Sequence, residues 1–251
     1  MSVLMTEERS DGIALIHACP ADAPDRPLPT VILFHSFGVS KEVISFLGYM
    51  LATVGMRSLM PEAPAHGERF DGDGAARARA FWQIVTDYVA EAEALRQAYA
   101  PLATEFGVAG TSMGGFAALA ATARYDWVAA TVCFMGSAYF RRNARSLFPP
   151  MGVYDRLTAD AHDRAMAAVP DPSAMLGRLA GRPIQLWHGQ RDDVVHFSNA
   201  LDLQADLRAL GGAGRLEVGI DPNGSHRVTD AAARAGVAFL ARELDDARGF
   251  A

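Results

Sequence analysis

The chain has 251 residues, half of them hydrophobic, and its 29 acidic and 23 basic residues give a formal net charge of −6. A nucleic-acid-binding protein needs a concentrated basic face, so this acidic balance argues against that class. The length suffices for one large hydrophobic core. We expect a single domain over 1–251, as is common for open α/β folds of this size.

Cys19 and Cys133 are the two cysteines of the chain. Because Cys133 lies in the apolar run TVCFMG, we expect it to act as a small buried hydrophobe. Two cysteines of this kind provide neither a disulfide framework nor a Cys/His metal cluster. The sequence therefore predicts no metal site.

The first residues, MSVLMTEERSDG, lack the basic start and the sustained apolar run of a signal peptide. No apolar run in the chain reaches the length that spans a membrane. We therefore expect a cytoplasmic protein without membrane contact. The sequence leaves the oligomeric state open, with a homodimer as one alternative.

Short apolar runs alternate along the chain with longer helical patterns, which indicates βαβ units and a mostly parallel sheet. The run 12–20 predicts an early strand, with a hairpin as an open alternative, and a proline-rich loop follows it. Further strands are predicted at 30–38, at the start of 56–67, and at 104–110, 127–137, 182–189 and 215–221. Helices are predicted at 41–55, where Gly55 ends the helix, and at 75–100, 114–125, 198–212 and 228–246.

The stretch 138–181 interrupts this alternation. Within it, Thr158 and Asp171 are predicted helix N-caps, and Pro172 suits a first helical turn. So long an insertion in a compact α/β domain is usually functional. We expect a cap or lid whose SLFPPM and SAML stretches line an apolar pocket, and an extra pair of surface helices is the alternative.

The segment GVAGTSMGG, residues 107–115, carries a G-x-S-x-G motif between a predicted strand and a predicted helix. In that context the motif is a nucleophile elbow, a sharp turn that holds Ser112 in a strained conformation with its hydroxyl exposed. Positions 110 and 114 must lack a side chain so that strand and helix do not collide, and both are glycine, Gly110 and Gly114. The Met113 N–H then lies at a helix N-terminus, where it can face a developing negative charge. Phosphate-loop and dinucleotide-binding motifs do not fit these residues.

A serine nucleophile needs a base and an orienting acid, which in an elbow enzyme follow in the order serine, acid, histidine. Asp192 follows one late predicted strand, and His226 follows the next. Both loops lie at the same edge of a parallel sheet as the elbow. Asp193, Asp221 and His66 are the alternatives, and a glycine turn favours Asp192 pointing inward and Asp193 outward.

The second oxyanion donor of an elbow enzyme comes from the loop after an early strand. HSFG occupies that place here, and the Phe37 N–H is the candidate. Phe37 is alternatively an apolar wall of the pocket, and the two roles are compatible.

Taken together, these residues resemble the α/β-hydrolase-fold serine esterases, in the bacterial carboxylesterase group related to dienelactone hydrolases and prolyl-oligopeptidase-type enzymes. The resemblance is carried by VILFHSFGVSKE, MPEAPAHGERF, VAGTSMGG, LFPP, LWHGQRDDVV and GSHRVT. One departure is His35-Ser36, where the family usually has His-Gly. A serine nucleophile argues for the esterase side, because dienelactone hydrolases proper use cysteine.

The resemblance implies a central parallel sheet with helices on both faces and no cofactor or metal. It implies Ser112 as nucleophile, Asp192 as acid and His226 as base, with the Phe37 and Met113 N–H groups holding the oxyanion. The sequence thus predicts hydrolysis of small to medium carboxylic esters through an acyl-enzyme. Thioester, amide or peptide hydrolysis is the first alternative, and a non-catalytic binding protein is the second.

Overall fold

Eight strands form one sheet in the order β1-β2-β4-β3-β5-β6-β7-β8 in the computed structural model, which describes residues 2–245. The strands are β1 Val3–Ser10, β2 Ile13–Pro20, β3 Leu28–Phe34, β4 Arg57–Pro61, β5 Ala103–Thr111, β6 Val128–Phe134, β7 Ile184–Gly189 and β8 Leu216–Asp221. From β3 to β8 every neighbouring pair is parallel, whereas β2 pairs antiparallel with both β1 and β4. The predicted mostly parallel sheet is confirmed, and the early strand does belong to a hairpin.

Nine α-helices connect these strands within residues 2–245. They are α1 Ser45–Thr53, α2 Gly74–Arg79, α3 Phe81–Tyr99, α4 Met113–Arg124, α5 Phe140–Asn143, α6 Ala159–Ala167, α7 Leu176–Leu179, α8 Ser198–Ala209 and α9 Asp230–Asp245. The predicted helix over 41–55 begins instead with a 3-10 turn, Lys41–Ile44, and the predicted helix over 75–100 is two helices that meet at Ala80. Asp246, the predicted end of the last helix, lies outside the described residues.

The sheet is covered on both faces, because neighbouring residues of one strand belong to different hydrophobic clusters. Ile32 and Phe34 pack with α3 and α4, whereas Val31 and Leu33 pack with α1 and α9. Every residue of β2 and β3 is buried, as expected for strands sandwiched between other layers. Both cysteines are buried and free. Within the described residues, no helix is long and apolar enough to cross a bilayer.

Between β6 and β7 the chain forms α5, α6, a 3-10 turn at Pro172–Met175 and α7. Asp171 caps the 3-10 turn as predicted, since its Oδ1 accepts the Ser173 N–H at 2.9 Å. Thr158 occupies the N-cap position of α6, but its hydroxyl makes no capping bond. It lies 2.9 Å from Asp155 Oδ1 instead, so the local turn takes the hydroxyl away from the helix.

The carboxyl ends of β3 and β4 are tied together by one buried side chain from α3. The Tyr88 hydroxyl accepts the backbone N–H of His35 at 3.2 Å and donates to the carbonyl of Pro61 at 2.8 Å. Burial raises the pKa of Tyr88 well above its ordinary value, so the phenol stays neutral and keeps its proton for Pro61. Tyr88 therefore fixes the positions of the two strand ends, and so of the loops that follow them, relative to each other.

Replacement of Tyr88 by phenylalanine leaves a buried N–H and a buried carbonyl without this hydroxyl partner. We expect the free energy of unfolding to fall by about 1–3 kcal/mol, the usual cost of a buried unsatisfied polar group. Chemical denaturation measures the change. Tyr49→Phe, at an exposed tyrosine of α1, is the control, expected to stay within about 0.5 kcal/mol of the parent. Equal stability of the Tyr88 variant and the parent would contradict this role.

Candidate active site

The turn from β5 into α4 places Ser112 in a backbone conformation that few residues adopt. Its φ is 53° and its ψ is −114°, with Thr111 ending the strand and Met113 beginning the helix. A positive φ is strained for a residue with a side chain, and such strain is often found at functional sites. Backbone bonds hold the turn, because the Ser112 N–H donates to the Phe134 carbonyl at 2.9 Å and the Ser112 carbonyl accepts the Gly115 N–H at 2.8 Å.

The glycines on either side of Ser112 lie where no side chain fits. A Cβ atom on Gly110 would lie 2.1 Å from the Gly114 carbonyl oxygen, so strand and helix touch across the turn. On Gly114, a Cβ atom would lie 1.9 Å from the carbonyl oxygen of Phe34, the last residue of β3. The sharp turn and the neighbouring strand end are therefore in direct backbone contact.

A continuous line of hydrogen bonds runs from Ser112 through His226 to Asp192. The Ser112 hydroxyl lies 2.8 Å from His226 Nε2, and His226 Nδ1 lies 2.7 Å from Asp192 Oδ2. Because a carboxylate only accepts, Nδ1 carries the proton, and Nε2 is left to accept from the serine. The structure brings together the three residues that the sequence singled out, from the ends of β5, β7 and β8.

Asp192 is buried and held from two sides. Its Oδ1 accepts the backbone N–H groups of Val194 and Val195, each at 2.9 Å, while Oδ2 faces His226. Burial raises the pKa of Asp192, but the bonds from His226 and the two amides outweigh it, and the net pKa lies below its ordinary value. Asp193 is exposed, so the inward carboxylate of this turn is Asp192.

The loop after β3, residues 35–38, carries Ser36 and Phe37 beside the elbow, and we call it the oxyanion loop. His35 fixes its backbone, because Nδ1–H donates to the Ser36 carbonyl at 2.8 Å and Nε2 accepts the Ala63 N–H at 3.0 Å. The Phe37 ring packs against Phe148, with ring centroids 4.5 Å apart. The two segments that carry the proposed oxyanion donors are neighbours, because Ser36 Oγ of this loop lies 2.8 Å from Thr111 Oγ1 in the turn before Met113.

A cavity of about 430 Å³ opens beside His226. Its polar and charged lining comes from five residues: Ser36, Thr111, His226, Arg227 and Asp230. Its apolar lining includes residues from the 3-10 turn, α1, the end of β6 and the His226 loop: Val43, Ile44, Phe46, Met135 and Val228. The described lining contains no residue of 138–181.

The described residues that line the cavity beside His226 include none from SLFPPM or SAML. In SLFPPM, Phe148 stacks on Phe81 and contacts the oxyanion loop through Phe37. In SAML, Met175 lies beside a small crevice together with Val85 and Phe140. The 138–181 segment therefore contacts the oxyanion loop through Phe148, and the described walls beside His226 come from other parts of the chain.

The other histidines are occupied by local bonds. His188 Nε2 donates to the Val195 carbonyl at 2.8 Å, and burial lowers its pKa. His66 donates Nδ1–H to the Pro64 carbonyl at 2.8 Å. Burial lowers the pKa of His66 to about 4, with the charge of Arg77 acting in the same direction. His66 and His188 are therefore neutral, fully buried rings at the edge of the site.

The sequence pattern does not identify two residues that hold the loop beside the nucleophile, Thr111 and Tyr88. The hydroxyl of Ser36 lies 2.8 Å from that of Thr111, and Tyr88 holds the start of the oxyanion loop. The motif marks Thr111 only as a neighbour of the nucleophile. Tyr88 occupies an ordinary apolar position of a helix, so no signal in the sequence separates it from the core.

The mostly parallel sheet, the elbow and the Ser112–His226–Asp192 arrangement define an enzyme of the α/β-hydrolase fold. The structure is similar to TT1662 from Thermus thermophilus, with a TM-score of 0.78 and 23% identity over 98% of this chain and 99% of that one. It is also similar to Est1E from Butyrivibrio proteoclasticus with ferulic acid bound, with a TM-score of 0.71 and 18% identity over 96% of this chain and 99% of that one.

The chain belongs to the prolyl oligopeptidase family, which it matches over residues 64–245, and it is a hydrolase. Esterase YjfP of Escherichia coli (strain K12) is 40% identical to it over 238 residues, covering 92% of this chain and 96% of that protein. These likenesses confirm the predicted fold and the resemblance to this group of hydrolases.

The low pKa of His66 makes stability depend on pH. Between pH 6.5 and about 4 the unfolded chain binds a proton at this ring that the folded chain does not, so acidification favours unfolding. We expect this group to lower the free energy of unfolding by up to about 3 kcal/mol between pH 7 and pH 4. Denaturant titrations at several pH values measure the loss.

The matched variant is His66→Gln, because the glutamine side chain does not titrate. Its loss of stability between pH 7 and pH 4 is expected to be smaller than that of the parent, while the contribution of His188 remains in both. Identical pH slopes for the two proteins would show that His66 binds its proton equally well in the folded and unfolded chains.

Proposed function

We propose that this hydrolase is a carboxylesterase that cleaves esters of small to medium acyl size through an acyl-enzyme. Ser112 is the nucleophile, His226 the general base and Asp192 the orienting acid. The observation that carries the proposal is the hydrogen-bonded line from the Ser112 hydroxyl through His226 to a buried carboxylate, at 2.8 and 2.7 Å. This geometry supports the triad that the sequence predicts.

The first half-reaction transfers the acyl group to the enzyme. His226 Nε2 takes the proton of Ser112 as Oγ attacks the ester carbonyl, and the carbonyl π electrons move onto oxygen. The tetrahedral intermediate then collapses, and His226 gives its proton to the leaving alcohol oxygen. A water molecule repeats the sequence on the acyl-enzyme and releases the acid, with Ser112 recovering its proton.

Asp192 serves this cycle as a fixed negative charge. Its net pKa lies below the ordinary value, so it stays ionised wherever His226 is required to be neutral. The Val194 and Val195 amides hold one oxygen, which aims the other at His226 Nδ1. The carboxylate therefore fixes the ring's tautomer and balances the imidazolium that forms during attack.

The negative charge on the substrate oxygen needs donors that are already in place. Met113 is the first residue of α4, so its N–H has no partner within the helix and lies at the positive end of the helix dipole. The Phe37 N–H is the second donor, on a loop fixed by His35. Two fixed N–H groups are the usual oxyanion hole of acyl transfer.

An ester is the favoured substrate, since the 40% identical relative is named an esterase and covers nearly the same length. The cavity beside His226, about 430 Å³ with an apolar wall, suits a compact acyl or alcohol group. We regard the chain as one hydrolase domain in which 138–181 is a cap packed against the oxyanion loop. The family description favours an amide or peptide as the alternative substrate, with the same residues in the same roles.

Ser112→Ala removes the nucleophile and leaves the rest of the turn in place. We expect turnover of a p-nitrophenyl acyl ester to fall by at least about 10³-fold, to a residual rate from binding alone. Stopped-flow measurement should also show a burst of nitrophenol in the parent, equal to one per active site, and none in the variant. The circular dichroism spectrum is expected to stay unchanged.

An unchanged rate in the alanine variant would overturn the assignment of the nucleophile. Parallel assays with a thioester and a peptide anilide decide between the substrate classes. A kcat/KM for the thioester or anilide above that for the ester would replace the carboxylesterase by the alternative.

The acid is tested by two neighbouring substitutions of identical chemistry. Asp192→Asn removes the charge that faces His226 and is expected to lower kcat by about 10⁴-fold, because the ring loses its tautomer and its counter-charge. Asp193→Asn changes an exposed carboxylate and is expected to lower kcat by less than about twofold. Steady-state kinetics on both proteins give the ratio, and a greater effect at Asp193 would show that the turn has been misassigned.

A further inference from the structure

The backbone ladder between β3 and β5 stops one residue before the oxyanion loop. Its last paired residues are Phe34 and Gly110. The N–H of His35, the residue after β3, donates instead to the Tyr88 hydroxyl at 3.2 Å. From this point, backbone pairing no longer fixes the loop that carries Phe37 relative to the strand that carries Ser112.

Two hydroxyl groups span this gap. Ser36 Oγ lies 2.8 Å from Thr111 Oγ1 and 3.1 Å from the Thr111 carbonyl oxygen. With Ser36 donating to the carbonyl, the Thr111 hydroxyl donates back to Ser36, so each proton has an acceptor. Thr111 precedes the nucleophile and Ser36 precedes Phe37, so the bond joins the two residues adjacent to the reacting groups.

Ser36 is fixed at a second atom as well. Its carbonyl accepts Nδ1–H of His35 at 2.8 Å, so both its side chain and its backbone are held. Ser36 does not have a positive φ, whereas the φ of Gly38 is +78°. A serine is therefore tolerated at this place without strain, and its hydroxyl adds a bond that glycine does not provide.

We propose that the Ser36–Thr111 hydroxyl pair is a brace that sets the position of the oxyanion loop relative to the nucleophile. Both residues are positioning residues, acting through the Phe37 N–H and through Ser112. The inference rests on the proposed function for its kinetic consequence only. The brace itself is a statement about how the loop is held.

The kinetic test uses Ser36→Ala, Thr111→Val and the double variant, assayed with a p-nitrophenyl ester. A misplaced oxyanion donor weakens the transition state more than the bound substrate, so we expect kcat to fall by about 10- to 100-fold. KM is expected to stay within about threefold, and the double variant to be no slower than the slower single variant. Thr111→Ser keeps the hydroxyl and is expected to restore most of kcat.

The matched control is Thr122→Val. It disrupts a different hydroxyl pair, Thr122 of α4 with Thr131 of β6 at 2.6 Å, which has no link to the oxyanion loop. We expect it to lower stability while kcat stays at the parent value. Equal losses of kcat in this control and in Ser36→Ala would reduce the pair to a structural role and overturn the proposal.

Amide hydrogen exchange of the segment 35–38 tests the brace without turnover. Exchange is expected to be faster in Ser36→Ala and Thr111→Val and unchanged in Thr122→Val. If the parent hydrolyses no ester, the proposed function fails, and the exchange rates still decide whether the brace exists. Unchanged exchange in both brace variants, or fully additive kinetic losses, would overturn it.

Discussion

Backbone contact at Gly114 is the constraint on which the rest of the site depends. A Cβ atom there would lie 1.9 Å from the Phe34 carbonyl oxygen, so the end of β3 and the start of α4 touch. That contact permits the sharp turn at Ser112, with its φ of 53°, and it places the Phe37 loop beside the same turn. Strain at one residue is tolerated because the sheet on both sides of β5 over-determines the position of the turn.

The parallel sheet supplies the remaining groups at the same edge. β7 and β8 pair in register through Gly189 and Asp221, and the turns that follow carry Asp192 and His226. Each carboxylate oxygen of Asp192 has a defined partner, which determines the direction of the imidazole and leaves one nitrogen for the serine. In the proposed function, these groups on rigid elements carry out acyl transfer, and the residues that line the cavity beside His226 select the substrate.

The sequence predicts the parallel sheet and the turn at Ser112, because glycines, turn residues and alternating apolar runs reflect local backbone geometry. Strand β1 was missed, since its charged residues Glu7, Glu8 and Arg9 suit a partly exposed edge strand and give no apolar alternation. No residue in the sequence indicates the break between α2 and α3 at Ala80. The Ser36–Thr111 bond joins residues distant in sequence, and such contacts become visible only when the strands are placed side by side.

Ser112 is an activated nucleophile in the proposed function, and covalent labelling is a direct test of that reactivity. The folded protein is treated with a fluorophosphonate, and the adduct is located by mass spectrometry of tryptic peptides. We expect one adduct per chain, in the peptide 97–124 and on Ser112 itself, with much slower labelling after unfolding. Absence of an adduct on the folded enzyme, or an adduct on a different residue, would contradict it.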